Sequence, residues 1–122
     1  MEEYKNTDND FYKRKAEVQK MLDRYPYTVP VYVIPSGGGS YSNKNYINLK
    51  KRKYLVPDDV TIGQFLRIIT RYIENFNSSN GLLMFINNKL PTCSSTILSV
   101  YADEKDDDGF LYVNICSHDT FG

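Results

Sequence analysis

The sequence predicts an α+β roll, one curved sheet wrapped on a single core helix, with an additional helical segment at the N-terminus. Three observations predict it. At 122 residues the chain is long enough for one hydrophobic core without disulfides or metal. Its apolar spacing switches between helical and strand periods, in the order helix, strand, strand, helix, strand, short helix, strand. The strongest helical stretch, opening at Thr61, carries a broad apolar stripe, so it is the element that a sheet must cover.

Residues 1–10 are polar and acidic and predict no firm structure. In the next stretch Phe11, Val18, Met21, Leu22 and Tyr25 gather on one helical face, with Lys13, Arg14, Glu17, Lys20 and Arg24 outside it. Pro26 ends that helix. Val29–Ile34 and Tyr54–Val56 are rich in β-branched and aromatic residues, which predicts two strands. Between them, PSGGGSYSNKN predicts a long, mobile hairpin loop; it lacks the Gly-Lys-Ser/Thr ending and the following helix of a phosphate cradle. Thr61-Ile-Gly-Gln64 has the form of a capping box and opens the core helix, whose stripe is Ile62, Phe65, Leu66, Ile69, Tyr72, Ile73 and Phe76. NSSNG stops it, and Leu82–Ile86 is a continuous apolar run suited to a buried strand. Ser94 or Ser95 is predicted to cap a short helix through Tyr101. The acidic turn Asp103–Gly109 then leads into a strand with Leu111, Val113 and Ile115 on one side and Phe110 and Tyr112 on the other. With the first helix set aside, this is the order of a ubiquitin-like β-grasp fold.

Composition excludes several function classes. Lys and Arg balance Asp and Glu, so the chain lacks the excess positive charge of a nucleic-acid binder. The balance is uneven: residues 1–60 carry 11 basic and 8 acidic side chains, residues 61–122 carry 4 and 7. Cys93 and Cys116 suit neither a disulfide framework nor a zinc site, which points to a reducing compartment. No secretory signal follows Met1, and Leu82–Ile86 is too short to cross a bilayer, so the expectation is a soluble, cytoplasmic protein. Glu2 stands where myristoylation needs glycine, and the carboxyl end has no prenylation Cys. Cys116-Ser-His118 sets a thiol and an imidazole on one side of an extended segment. With no orienting carboxylate or oxyanion donors in the pattern, it reads as a small hydrophobe beside a solvated tail rather than a nucleophile.

Four stretches in the right order carry a resemblance: FYKRKAE, then KRKYLVP followed by TIGQF, then DGFLYV, then the terminal TFG. Together they resemble the autophagy ubiquitin-like modifiers, the family of GABARAP and the microtubule-associated light chain, from Phe11 to Gly122 with a gap at the Gly/Ser loop. The resemblance implies a helical extension at 1–26, a ubiquitin-like domain at 27–117 and a flexible conjugation tail at 118–122. It implies no catalysis by the chain itself, no cofactor and no metal. Activating and conjugating enzymes would carry the Gly122 carboxylate through thioesters to the amine of phosphatidylethanolamine, and a cysteine protease would process and deconjugate the product. A glycine lets the backbone approach closely in narrow active sites, and Phe121 would anchor the tail behind it. The protein would thus move from cytoplasm to the autophagosome membrane through its covalent lipid.

A docking surface is implied as well. Strand alternation turns Lys53 and Leu55 to one face and Tyr54 and Val56 to the other. By the resemblance, a first pocket of Glu17, Met21, Pro30, Tyr32, Lys53, Leu55 and Phe110 takes a partner's aromatic side chain. A second, of Tyr54, Val56, Pro57, Val60, Phe65 and Ile68, takes an aliphatic one three residues later. The partners are cargo receptors and adaptors with short aromatic-x-x-aliphatic motifs, paired along Lys53–Leu55 by β-augmentation. Lys51 and Arg52, with Lys53, form a basic rim that favours acidic flanks. The chain departs from the family pattern at Thr28, where a basic residue is usual, at Tyr32, where an aliphatic is usual, and at Cys116-Ser-His118. A first pocket narrower or more polar than its relatives' is therefore expected. The competing reading is a ubiquitin-like peptide-docking module that is never conjugated; a nucleic-acid patch at the KKRK run is opposed by the zero net charge.

Overall fold

The computed structural model describes residues 8–35, 47–74, 76 and 81–117. Its elements are α1 (Asp8–Arg24), β1 (Thr28–Pro35), β2 (Lys53–Pro57), α2 (Ile62–Thr70), β3 (Leu82–Phe85), α3 (Ile97–Glu104) and β4 (Leu111–Ser117). The strands form one four-stranded sheet in the order β2-β1-β4-β3. β1 pairs antiparallel with β2 and parallel with β4, and β3 pairs antiparallel with β4. A parallel pair needs a crossover, which the chain between β2 and β4 supplies with α2 inside it. Among the described residues no helix is long and apolar enough to cross a membrane.

The core lies between the sheet and α2. Val29, Val31 and Val33 of β1 and Leu111, Val113 and Ile115 of β4 are fully buried there, against Ile62, Phe65 and Ile69 of α2. Thr61 caps α2 as its sequence predicts: its hydroxyl accepts from the Gln64 N–H at 3.2 Å, and the Gln64 side chain accepts from the Thr61 N–H at 2.9 Å. Pro30, which has no N–H, sits just ahead of Val31, where the parallel ladder with Leu111 begins, so no ladder bond is lost.

α1 packs against β1, and the residues that seat it form a second, smaller buried set. Val18 is buried against Gly109, whose φ of +96° only glycine adopts without strain; a Cβ there would lie 2.7 Å from Val18 Cγ1. Arg14 Nε donates to Asp108 Oδ2 at 2.9 Å. The fully buried Asp108 also accepts from the Phe110 N–H at 2.8 Å and from the Tyr112 hydroxyl.

Several boundaries differ from the sequence expectation. α1 begins at Asp8, inside the segment that predicted no structure. α2 stops at Thr70 although its apolar stripe runs on. The Thr70 hydroxyl donates to Arg67 O at 2.6 Å, and the N–H groups of Arg71, Tyr72 and Ile73 donate three residues back, in tight turns. Ile73 then bridges Leu49, and the Glu74 N–H donates to Asn48 O, so tertiary pairing captures the stripe's end. α3 is capped by Thr96 rather than Ser94 or Ser95 and runs to Glu104. β3 ends one residue early because Ile86 and Lys89 exchange backbone bonds across Asn87 and Asn88, both at positive φ, in a tight turn. The expectations for the Gly/Ser loop and for the tail at 118–122 lie outside the described residues.

Candidate docking site

β2 is an edge strand, and its backbone bonding is fixed by one contact. The Val33 N–H donates to Arg52 O at 2.7 Å, and the register pairs Val31 with Tyr54 and Val29 with Val56. Antiparallel partners bond in alternation, so Tyr54 and Val56 turn their N–H and C=O groups to β1. Lys53 and Leu55, opposite Tyr32 and the N–H-less Pro30, turn theirs to the outer edge, which no strand covers among the described residues. Side chains alternate too: Tyr54 and Val56 are buried, Lys53 is exposed and Leu55 half-buried.

On the α1 face, the structure brings Glu17, Tyr32, Lys53 and Phe110 together. Lys53 Nζ meets Glu17 Oε2 at 2.9 Å and Oε1 at 3.1 Å and stands 6.0 Å from the Phe110 ring centroid. Both partners of that ion pair keep much of their solvent, so it is worth about 0–1 kcal/mol and opens cheaply. Pro30 and Phe110 are buried, while Met21, Tyr32 and Leu55 keep partial exposure. A cavity of about 530 Å³ lies along the helix, lined by Glu17 and Met21 with Lys13, Ala16, Lys20, Arg24 and Tyr25, and by no residue of the sheet.

On the opposite face Tyr54, Val56 and Phe65 belong to the core, and Pro57, Val60 and Ile68 are the accessible members of the second set. The Tyr54 ring stands edge-on to Phe65 at 5.5 Å and to Tyr72 at 5.6 Å, and its hydroxyl donates to Lys51 O at 2.7 Å. Burial, with a smaller contribution from Tyr72, pushes the Tyr54 phenol well above its ordinary range. Lys51 Nζ lies 5.0 Å from the centroids of both Tyr54 and Tyr72. Lys51, Arg52 and Lys53 are all exposed, as a basic rim requires.

Sequence reasoning missed Tyr72, which holds Lys51 and Tyr54 in place, and the Arg14–Asp108–Tyr112 group behind Phe110. The Lys50 N–H to Tyr72 O bond that brings Tyr72 here has no local signal, and nothing in the Asp106-Asp107-Asp108 run marks the third as buried. Cys116 is buried, which raises its thiol's pKa. Gly122 and Phe121 lie outside the described residues.

Comparison with known proteins bears on this geometry. A family model described as autophagy protein Atg8, ubiquitin-like, matches residues 13–122. The chain is 40% identical over 116 residues to autophagy-related protein 8e of Arabidopsis thaliana, covering 94% of this chain and 89% of that one. It is 38% identical over 112 residues to autophagy-related protein 8 of Kluyveromyces lactis, covering 92% and 86%. Its fold is similar to that of Trypanosoma brucei ATG8, with a TM-score of 0.78 and 28% identity over 92% of this chain and 91% of that one. It is similar also to Plasmodium falciparum Atg8 in complex with a P. falciparum Atg3 peptide, with a TM-score of 0.71 and 26% identity over 86% and 88%.

Proposed function

Because this autophagy-related, ubiquitin-like chain belongs to the Atg8 family, we propose that it is joined through Gly122 to phosphatidylethanolamine and docks receptors bearing aromatic-x-x-aliphatic motifs on its β2 edge. The observation that carries the docking half is the outward-facing backbone of Lys53 and Leu55 on an edge strand whose two sides differ. In an extended peptide, anchors three residues apart point to opposite faces. A strand added at this edge therefore sends one anchor toward Glu17, Lys53 and Leu55 under α1, and the other toward Pro57, Val60 and Ile68 beside α2. That is the spacing such a motif has.

Magnitudes fit a transient adaptor. Two anchors at about 1.5–3 kcal/mol each and a few strand bonds near 1 kcal/mol net, offset by peptide ordering, give micromolar rather than nanomolar binding. The basic rim steers acidic flanks and tunes partner choice more than affinity. The P. falciparum Atg8 complex with an Atg3 peptide supports a peptide partner for this chain too. Activating and conjugating enzymes, and a processing protease, complete the partner set for the tail at 118–122, with the protein cytoplasmic until lipidated.

The test is a conjugation assay with the matching activating and conjugating enzymes, ATP and phosphatidylethanolamine vesicles, read by intact mass. A lipid-sized mass gain is expected for the full chain and for Leu55→Ala, and none without Gly122. Leu55→Ala should instead weaken motif-peptide binding about tenfold. No gain with enzymes verified on another substrate would leave a docking module that is never conjugated. If each change abolished both activities, tail and surface would not be separable.

A further inference from the structure

Aromatic rings fill the sheet side of the first pocket. Tyr32 lies in one row with Lys53 on β2 and Tyr112 on β4. Its ring meets Phe110 edge-on, with centroids 6.0 Å apart and planes at 84°, and leans on Tyr112 at 5.6 Å and 39°. Phe110 and Tyr112 close the triangle at 6.0 Å. Phe110 has no exposed surface, whereas Tyr32 keeps some, so an incoming side chain meets Tyr32 first. Lys53, with its ammonium on Glu17, bounds the same space on the outer side.

We propose that Tyr32 sets the depth of this pocket and makes it selective for a single-ring anchor, Phe or Tyr, over the indole of Trp; this rests on the reading of β2 as the docking strand. Apolar gain scales with the area buried, so a larger anchor binds better only where there is depth to take it. Here the depth is occupied by the protein's own ring. Displacing Tyr32 would forfeit its contacts with both Phe110 and Tyr112. A single ring needs no displacement, because it lies edge-to-face against the exposed part of Tyr32, an arrangement that aromatic pairs prefer. An aliphatic residue at position 32 keeps the central strand paired but removes the ring, which deepens the pocket and admits the indole.

The experiment uses two acidic-flanked peptides that differ only in a Phe or Trp anchor. Each is titrated calorimetrically into the full chain, Tyr32→Leu and Tyr32→Phe, with thermal melts to verify folding. The unaltered chain should bind the Phe peptide at least about fivefold more tightly, Tyr32→Phe should keep that ratio, and Tyr32→Leu should reverse it. A Trp preference in the unaltered chain, or the same ratio in Tyr32→Leu, overturns the proposal while leaving the docking reading intact. Absence of binding by either peptide to any of the three proteins overturns the docking reading and the proposal with it. Should Tyr32→Leu fail to fold, the ratio in the unaltered chain and in Tyr32→Phe decides.

Discussion

Gly109→Ala tests how α1 is held to the sheet. Gly109 lies between the buried Asp108 and the buried Phe110 at φ +96°, where a residue with a side chain is strained by about 1–3 kcal/mol. The added Cβ would also lie 2.7 Å from Val18 Cγ1 and 3.2 Å from Val18 Cβ. Val18 cannot yield cheaply: it is 4% exposed, a helical valine has one strongly preferred rotamer, and the Arg14–Asp108 pair ties its helix down. Overpacking of this kind costs about 1–3 kcal/mol. An outward shift of α1 relieves part of the clash but none of the backbone strain, which is local to residue 109, so the expected loss is about 2–4 kcal/mol. Urea denaturation followed by circular dichroism measures it. Val18→Ala removes the clashing methyls but not the backbone strain, so in that background Gly109→Ala should cost less by about 1 kcal/mol or more. A loss below about 1 kcal/mol in the single variant, or strict additivity in the double, would refute the close approach.

The Asp108 group offers two further checks on the same helix. Asp108→Ala removes the fully buried acceptor of the Arg14 Nε, Phe110 N–H and Tyr112 hydroxyl bonds and should cost about 3 kcal/mol, whereas Lys53→Ala breaks an exposed pair and should cost under about 1 kcal/mol in the same denaturation assay; equal losses would contradict the burial difference. Burial, then its bond to Asp108, raises the Tyr112 phenol above its ordinary value of 10.0. A raised pKa stabilises the fold fully below that value and loses its contribution as pH climbs past it, so melting temperature should fall in alkali less steeply for Tyr112→Phe than for the unaltered chain.

The core face of the sheet was legible in the sequence because its signals are periodic and local. Leu111, Val113 and Ile115 alternate with Phe110 and Tyr112, so period alone assigned them to one side, while Val29–Ile34 was marked as a strand by its β-branched and aromatic residues, and the structure puts Val29, Val31 and Val33 in the core. Thr61 and Gln64 announced α2 because a capping box is contained within four residues. Its end was not legible: the stripe continues through Tyr72 and Ile73, which do pack on the core, but from turns pinned by Asn48 and Leu49. The cap of α3 was ambiguous among neighbouring hydroxyls. Thr96 holds the position, its Oγ1 accepting from the Ser99 N–H at 3.2 Å, while the Ser95 carbonyl accepts from the Ile62 N–H.

For the candidate site, alternation along Lys53–Val56 told the two faces apart but said nothing about depth, and depth differs between them. Beside α2 the deep members of the second set, Tyr54, Val56 and Phe65, are core side chains, so on the docking reading an aliphatic anchor would rest on Pro57, Val60 and Ile68 above a floor that cannot recede without loosening the fold. Under α1 the boundary is an exposed Glu17–Lys53 pair, cheap to open, over a half-buried tyrosine. On the docking reading, the second anchor therefore contributes much the same for every partner. Discrimination among partners falls to the first anchor, where Tyr32 and the Glu17–Lys53 pair can respond to what enters.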